Sequence, residues 1–321
     1  MHILIVANMR SGLGDTGLYE FVRILGAEGA EVTLRFLNEH ADITHLLRDA
    51  PEYECVVAAG GDGTVSSVLY ALRDTGVPVL AYPTGTANVL VWNLRLPMDP
   101  EGLAHVVLDG HAATIDLGEI RLCASGDQPQ RRYGFALGAG TGFAAAIMES
   151  ARDLKATLGE SAYIVGALRN LLPTVSRFTL EMDDTTVETE GIAVMVMNLA
   201  SLQYDVRITH DSNPQDGLFE VVVLRPTTAV GLLPTVWAAL LDVLQNHPQR
   251  PGLEIHTARR VRITADPPVG LEFDGEVVEG TTPVSVRVLE RAARLLVPAD
   301  SPLRRTSGST PDGDRSQEGP Q

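Results

Sequence analysis

Several short clusters in the chain carry residues able to bind phosphate, move a proton or hold a cation. Gly60-Gly61-Asp62-Gly63-Thr64 stands directly after the apolar run Cys55–Ala59 and before a helical pattern. Glycines there permit positive φ and let a ligand approach the backbone with no Cβ in the way. The N–H groups of such a turn, with the start of the following helix, suit a polyphosphate. Asp62 has the wrong charge for that partner unless it faces Mg²⁺ or a hydroxyl to be deprotonated; as a plain turn residue it would cap the helix. On a surface turn the isosteric change Asp62→Asn is expected to cost little stability.

A second turn, Pro83-Thr84-Gly85-Thr86-Ala87-Asn88, follows the next apolar run. Loops at the carboxyl ends of adjacent parallel strands lie side by side, so the two turns should face one crevice. Thr86 can donate to a phosphate oxygen, and Asn88 reads as the cap of the next helix. The first apolar run ends at Asn8-Met9-Arg10-Ser11-Gly12-Leu13-Gly14. Gly12, Gly14 and Gly17 also spell G-x-G-x-x-G, a dinucleotide alternative for which Glu39 is an approximate ribose partner. Late in the chain, Asp274-Gly275-Glu276 is either a hairpin turn or a base at a domain crevice. Asp216-Gly217-Leu218 raises the same pair of readings.

These clusters must be positioned by two kinds of structure. The runs Ile3–Ala7, Val32–Leu37, Cys55–Ala59 and Val77–Ala81 have strand length, and segments 15–28 and 64–74 between them have helical periodicity. Asp15 is placed to cap the first of these helices. Alternation of this kind predicts a parallel α/β sheet. From about Thr114 the pattern changes to short strands: Ile115–Leu122, Tyr133–Gly138, Arg177–Met182, Gly191–Asn198, Leu218–Val223, Leu253–Ile263, Gly270–Asp274 and Val284–Val288. Two helical insertions, around 141–175 and 227–246, interrupt them. The expected architecture is an open, mostly parallel, doubly wound α/β domain over 1–113 and a mostly antiparallel β-sandwich over 114–290, with the nucleotide cleft between them. Residues 291–298 are candidates to return to the first domain, and 301–321 read as a disordered tail.

Composition narrows the partners. A length of 321 residues suits two domains. Lys+Arg 25 against Asp+Glu 41 gives a net charge of −16, which argues against bulk attraction to nucleic acid or an anionic membrane. Lys155 is the single lysine, so no Walker-type phosphate loop is present. No run reaches the roughly 18 apolar residues of a membrane span. The amino-terminal run has no basic n-region and reads as a strand rather than a signal peptide. Cys55 and Cys123 are too few for a disulfide scaffold, and the expected compartment is the cytoplasm.

Taken together and in this order, Asn8…Ser11-Gly12, Gly60–Thr64, Gly85-Thr86-Ala87-Asn88, Asp216-Gly217 and Asp274-Gly275-Glu276 resemble the diacylglycerol kinase catalytic-domain family, its bacterial lipid kinases above all. Gly138–Phe143 and the stretch from Lys155 to Tyr163 look like further landmarks, and the resemblance runs to about residue 298. It implies transfer of the ATP γ-phosphate to a lipid hydroxyl. Asn8, Asn38, Gly60, Gly61, Asp62, Gly63, Thr64, Val65, Ser66 and Thr86 would line the nucleotide site. Glu276 would be the general base, with Asp274 and Asp62 organising a catalytic Mg²⁺. Asp216, with the carbonyls of Asn213 and Leu218, would hold a separate structural Mg²⁺. The implied partners are a lipid acceptor and a transient membrane surface, with no nucleic acid and a homodimer left open. The chain departs from the family pattern at Met9, Asn38, Ala144, the stretch Leu199–Tyr204 and His210. NAD kinase-like phosphorylation and a catalytically impaired binding member of the fold are the alternatives.

Overall fold

The computed structural model describes residues 1–11, 16–38, 41–122, 131–143, 145–146, 173–199, 212–225 and 252–304. Its first part runs β1 (His2–Asn8), α1 (Thr16–Ala27), β2 (Glu31–Leu37), α2 (Ile43–Leu46), β3 (Cys55–Gly60), α3 (Asp62–Ala71), β4 (Pro78–Pro83), α4 (Val89–Leu94) and α5 (Pro100–Asp109). The four strands pair in parallel in the order β2-β1-β3-β4. β3 is buried along its whole length, as an apolar run covered on both faces must be. Phe21 and Leu25 of α1 are fully buried, and the Phe21 ring lies 5.0 Å from Tyr82 of β4. Asp99 caps α5 by accepting from the Gly102 N–H at 2.8 Å.

The second part runs β5 (Ala112–Leu122), β6 (Arg132–Phe135), β7 (Gly138–Thr141), β8 (Ser176–Met182), β9 (Thr185–Gly191), β10 (Ala193–Met197), β11 (Phe219–Leu224), β12 (Leu253–Ala258), β13 (Arg260–Asp266), β14 (Gly270–Phe273), β15 (Glu276–Thr281) and β16 (Val284–Leu296). One antiparallel sheet has the order β12-β11-β10-β7-β14-β15. It packs on the antiparallel portion of the other sheet through Phe135, Phe178, Val194, Phe219, Val221, Ile263 and Leu271. Phe135 and Phe219 stack with centroids 5.6 Å apart. The expected combination of a parallel α/β sheet and an antiparallel β domain is therefore present.

The two sheet types are joined more closely than separate domains would be. β16 pairs antiparallel with β13 over Val284–Arg287 and parallel with β4 at Arg294 and Leu295, so one strand belongs to both parts. β5 follows it along nearly its whole length, with a register shift between Leu289 and Ala293. The run Tyr133–Gly138 is two strands in different sheets, and Leu253–Ile263 breaks at Arg259 into β12 and β13. β9 and β15 escaped the sequence reading because Thr185–Gly191 and Glu276–Thr281 carry few apolar residues. At the end of the described chain, Ser301 and Leu303 are buried, so the packed structure extends past residue 300. Asp15, the two helical insertions almost entirely, and residues 305–321 lie outside the described residues. No helix among the described residues is long and apolar enough to cross a membrane.

Two buried carboxylates lock the seam. Asp116 is inaccessible to solvent; its oxygens accept the N–H of Gly217 at 2.7 Å and of Arg291 at 2.6 Å. Glu119 accepts from Tyr70 of α3 at 2.8 Å, from Arg121 at 2.7 Å and from Arg287 at 2.8 Å. The Tyr70 ring fills the place of a Cβ at Gly134, which seats α3 directly against β6. Burial raises the Glu119 carboxyl, but the bonds from Arg287, Tyr70 and Arg121 outweigh it and hold it at about 2. A depressed folded-state value contributes stability above the unfolded value, and that contribution fades as pH falls towards 2. Glu119→Gln removes the charge from a buried acceptor whose two guanidinium partners reach solvent and should cost about 2 kcal/mol. Denaturant titrations should also show a shallower loss of stability between pH 5 and pH 3 in the variant than in the wild type; equal acid slopes would show that Glu119 is not the titrating group.

Candidate active site

The strand order β2-β1-β3-β4 places a topological switch point between β1 and β3, where ligands bind in open α/β sheets. The turns expected to share a crevice meet there. Asn8 at the end of β1 donates to the Thr64 hydroxyl at 2.8 Å, and its own side-chain oxygen accepts the Arg10 N–H. The β3–α3 and β4–α4 turns touch backbone to backbone: a Cβ on Gly85 would lie 2.5 Å from the Gly61 Cα. Thr84 closes the group, its N–H donating to the Gly60 carbonyl at 3.2 Å and its hydroxyl to the Ser11 carbonyl at 3.1 Å.

The glycines of the first turn serve this packing. None of Gly60, Gly61 and Gly63 has positive φ. A Cβ at Gly60 would collide with the Thr64 side chain, and one at Gly63 would lie 3.0 Å from the Glu276 Cγ. The sequence expectation that these glycines supply positive φ is corrected accordingly. What remains open to an anion is the helix start. α3 begins on Gly61 with no side-chain cap, whereas α2 and α5 are capped by Asp42 and Asp99. Its first turn therefore presents a helix N-terminus to the crevice without a competing side-chain acceptor on the cap residue.

Asp62 caps a helix, but not its own. Its two oxygens accept the N–H groups of Val89 at 3.1 Å and Leu90 at 2.9 Å, which satisfies the start of α4. Asn88, read from sequence as that cap, instead sits at φ 48 and folds back on Gly85, exchanging bonds with its N–H and carbonyl. Thr64, Val65 and Ser66 are buried, with Ser66 turned towards Asp274. Thr86 and Asn38 are exposed.

From the other part of the chain comes the β14–β15 hairpin. Asp274 and Gly275 both have positive φ, and Phe273 pairs with Glu276, so the two-residue turn read from Asp-Gly is formed. That turn also carries chemistry. Asp274 accepts the backbone N–H groups of Ala136, Leu137 and Gly138 at 2.9, 3.0 and 2.9 Å. Burial pushes its carboxyl up to about 6, against the downward pull of Ser66 and the amides. Glu276, exposed, extends over Gly63 at the start of α3. Glu272 was missed by sequence reading; it is buried and its carboxyl is pushed by desolvation up to about 8. It is thus largely protonated at neutral pH and adds little negative charge beside Glu276.

The oxygens of Asp62 and Asp274 are thus engaged by backbone amides. Among the described residues no group of three or more His, Cys, Asp or Glu side chains could hold a metal ion. Around Asp216 the bonds are those of a turn: Asp216 Oδ1 accepts the Leu218 N–H at 2.9 Å, and the Asn213 carbonyl accepts the Asp216 N–H at 3.4 Å. Gly12, Gly14, Glu39, Ala144, Lys155, Tyr163, Tyr204 and His210 lie outside the described residues.

Residues 2–120 match the family model described as diacylglycerol kinase catalytic domain, and residues 138–297 match the YegS C-terminal NAD kinase beta sandwich-like domain. The chain belongs to the diacylglycerol kinase catalytic-domain family. An uncharacterized protein of Synechocystis is 30% identical over 250 residues, 77% of this chain but only about half, 55%, of that protein. A YegS-like lipid kinase of Klebsiella pneumoniae is 26% identical over 300 residues, 92% of this chain and 95% of the relative. A diacylglycerol kinase of Staphylococcus epidermidis is 26% identical over 253 residues, 78% and 76% of the two chains. The crystal structure of a diacylglycerol kinase from Bacillus anthracis superposes with TM-score 0.70 at 20% identity, covering 93% of this chain and 97% of that one. Yeast NADH kinase shares the fold at TM-score 0.55 and 12% identity, over 94% and 84%.

The boundary between the two family models falls in the region that Asp274 ties together, between β5 and β7. In this family member Asp62 holds α4 in place, which corrects the expectation that Asp62→Asn is nearly neutral. An asparagine side chain has one acceptor oxygen for two N–H donors, so the substitution should cost about 1 kcal/mol. Thermal or denaturant unfolding of Asp62→Asn checks this; an unchanged midpoint would show that α4 does not depend on the cap.

Proposed function

We propose that the protein transfers the γ-phosphate of ATP to the hydroxyl of a lipid, a diacylglycerol or a related alcohol. The observation that carries this reading is the placement of Glu276 over Gly63. A carboxylate from the β domain reaches the start of α3, where a polyphosphate would meet the helix N-terminus. In this reading the turns containing Gly60, Gly61 and Thr86, with Asn8 beside them and Asn38 at the end of β2, receive the nucleotide. Thr64, Val65 and Ser66 hold the turn from beneath. Glu276 removes the proton of the acceptor hydroxyl, and Asp274 acts as a positioning residue that fixes the hairpin from which Glu276 extends.

Phosphoryl transfer is mostly orientation and charge neutralisation. Mg²⁺ is implied by the family, and it would neutralise phosphate charge when bound with the nucleotide. Asp62 and Asp274, near enough that the charge of Asp62 raises the Asp274 carboxyl, would face it beside the phosphates. A lipid acceptor also requires contact with a bilayer surface. The diacylglycerol kinase model over residues 2–120 and the relatives named as lipid kinases favour this reading over phosphorylation of NAD.

Incubation with labelled ATP, Mg²⁺ and total bacterial lipid, followed by identification of the labelled product, tests the activity. Labelled NADP in a parallel reaction with NAD, without labelled lipid, would refute it. Glu276→Gln should lower kcat by about 10²–10⁴-fold and leave KM for ATP nearly unchanged, because a base acts on the acceptor in the transition state. Equal losses in rate and in ATP affinity would assign Glu276 to nucleotide or metal binding instead.

A further inference from the structure

An arginine array covers the outer face of the β6–β5–β16–β13 region. The register sets two rows across these strands. Arg132 stands opposite Arg121, Arg121 opposite Ser285, and Ser285 opposite Arg262. In the next row Glu119 stands opposite Arg287, and Arg287 opposite Arg260. The residues between them, Ile120, Val286, Val261 and Ile263, point into the core between the sheets. Alternation therefore sends the arginines outward. Arg73 at the end of α3 joins them, its guanidinium 4.2 Å from the centroid of the Tyr70 ring.

The charge on this face contrasts with the chain's net −16. Arg121 and Arg287 share the single buried carboxylate of Glu119, so their combined charge exceeds that of their partner. Arg132, Arg260 and Arg262 are exposed. Asp183 lies 3.8 Å from Arg260, and Glu181 stands opposite Arg262; these two residues, at the end of β8, bound the array. The array and the phosphate-facing turn are opposite ends of one helix. α3 spans about 15 Å, with Gly63 at its start and Tyr70, bonded to Glu119, near its end.

We infer that this face docks the protein on an anionic lipid bilayer through guanidinium–phosphate contacts. The inference rests on the lipid-kinase reading for its choice of partner. Planar guanidinium groups bind phosphate oxygens in pairs, and a broad sheet face presents several of them to a surface at once. The overall negative charge confines the attraction to short range, so association is transient and salt-sensitive. Nucleic acid is the other polyanion of this chemistry; the lipid acceptor of the proposed reaction favours the bilayer over it.

The test compares two charge reversals of equal size. Arg132→Glu with Arg262→Glu alters the array and spares the Glu119 bonds; Arg23→Glu with Arg48→Glu alters exposed positions of the first part. At low salt the array variant should bind phosphatidylglycerol–phosphatidylcholine vesicles at least about tenfold more weakly than the wild type. The control variant should bind them nearly as the wild type does. Transfer to a water-soluble short-chain acceptor should be the same in all three proteins. Equal loss in both variants would reduce the effect to net charge and overturn the docking face. So would unchanged vesicle binding by the array variant, or loss of oligonucleotide binding in its place. Vesicle binding that follows this pattern in a wild type unable to phosphorylate any lipid would sustain the face and refute the kinase reading.

Discussion

The carboxylate of Asp274 is the joint on which the site depends. It receives the N–H groups of three consecutive residues, Ala136, Leu137 and Gly138, and is also bonded to Ser66. These partners come from the β6–β7 connection and from α3, so one side chain ties a hairpin of the β domain to the helix that follows the Gly60-Gly61 turn. A half-buried, desolvated charge of this kind is tolerated when its lone pairs are filled. The four donors meet that demand and, in doing so, fix Glu276 two residues further along the chain.

The same logic is repeated along the seam. Asp116 fastens the Asp216-Gly217 turn and the bend at Arg291, while Glu119 fastens α3 to β5 and β16. β16 itself is shared by the parallel and antiparallel portions of one sheet. Such anchoring leaves little freedom for the two parts to slide past each other, because movement would strip partners from buried carboxylates. The site is then built from rigid pieces: two turns in backbone contact, a helix start without a side-chain cap, and a hairpin whose tip lies over that start.

Phosphate chemistry in a strongly acidic protein without a loop lysine must solve an electrostatic problem. The structure reduces the problem by occupying its carboxylates. Asp62 is bonded to the start of α4, Asp274 to backbone amides, and Glu272 is held largely neutral by burial. Glu276 alone among these four is exposed, as the base proposed above must be to meet an acceptor. Positive charge is displaced to the arginine face, at the other end of α3.

Much of this was written in the chain. The strand–turn–helix sequence around Gly60–Thr64, the paired turn at Thr84–Asn88 and the hairpin at Asp274-Gly275 are local patterns, decided by periodicity and by residues tolerant of tight turns. The division into a parallel α/β part and an antiparallel β part followed from the same periodicities, and the ordered set of motifs pointed to the family. Long-range partners were not legible. Nothing in the spacing shows that Asp62 caps α4 rather than α3, that Gly63 makes room for Glu276, or that Asp116 and Glu119 are buried. Those facts depend on which surfaces meet after the chain has folded, and a carboxylate in a strand reads as solvent-facing until a neighbouring helix covers it. Local backbone preference determined the elements; desolvation and hydrogen bonding between distant segments decided what each charged side chain does.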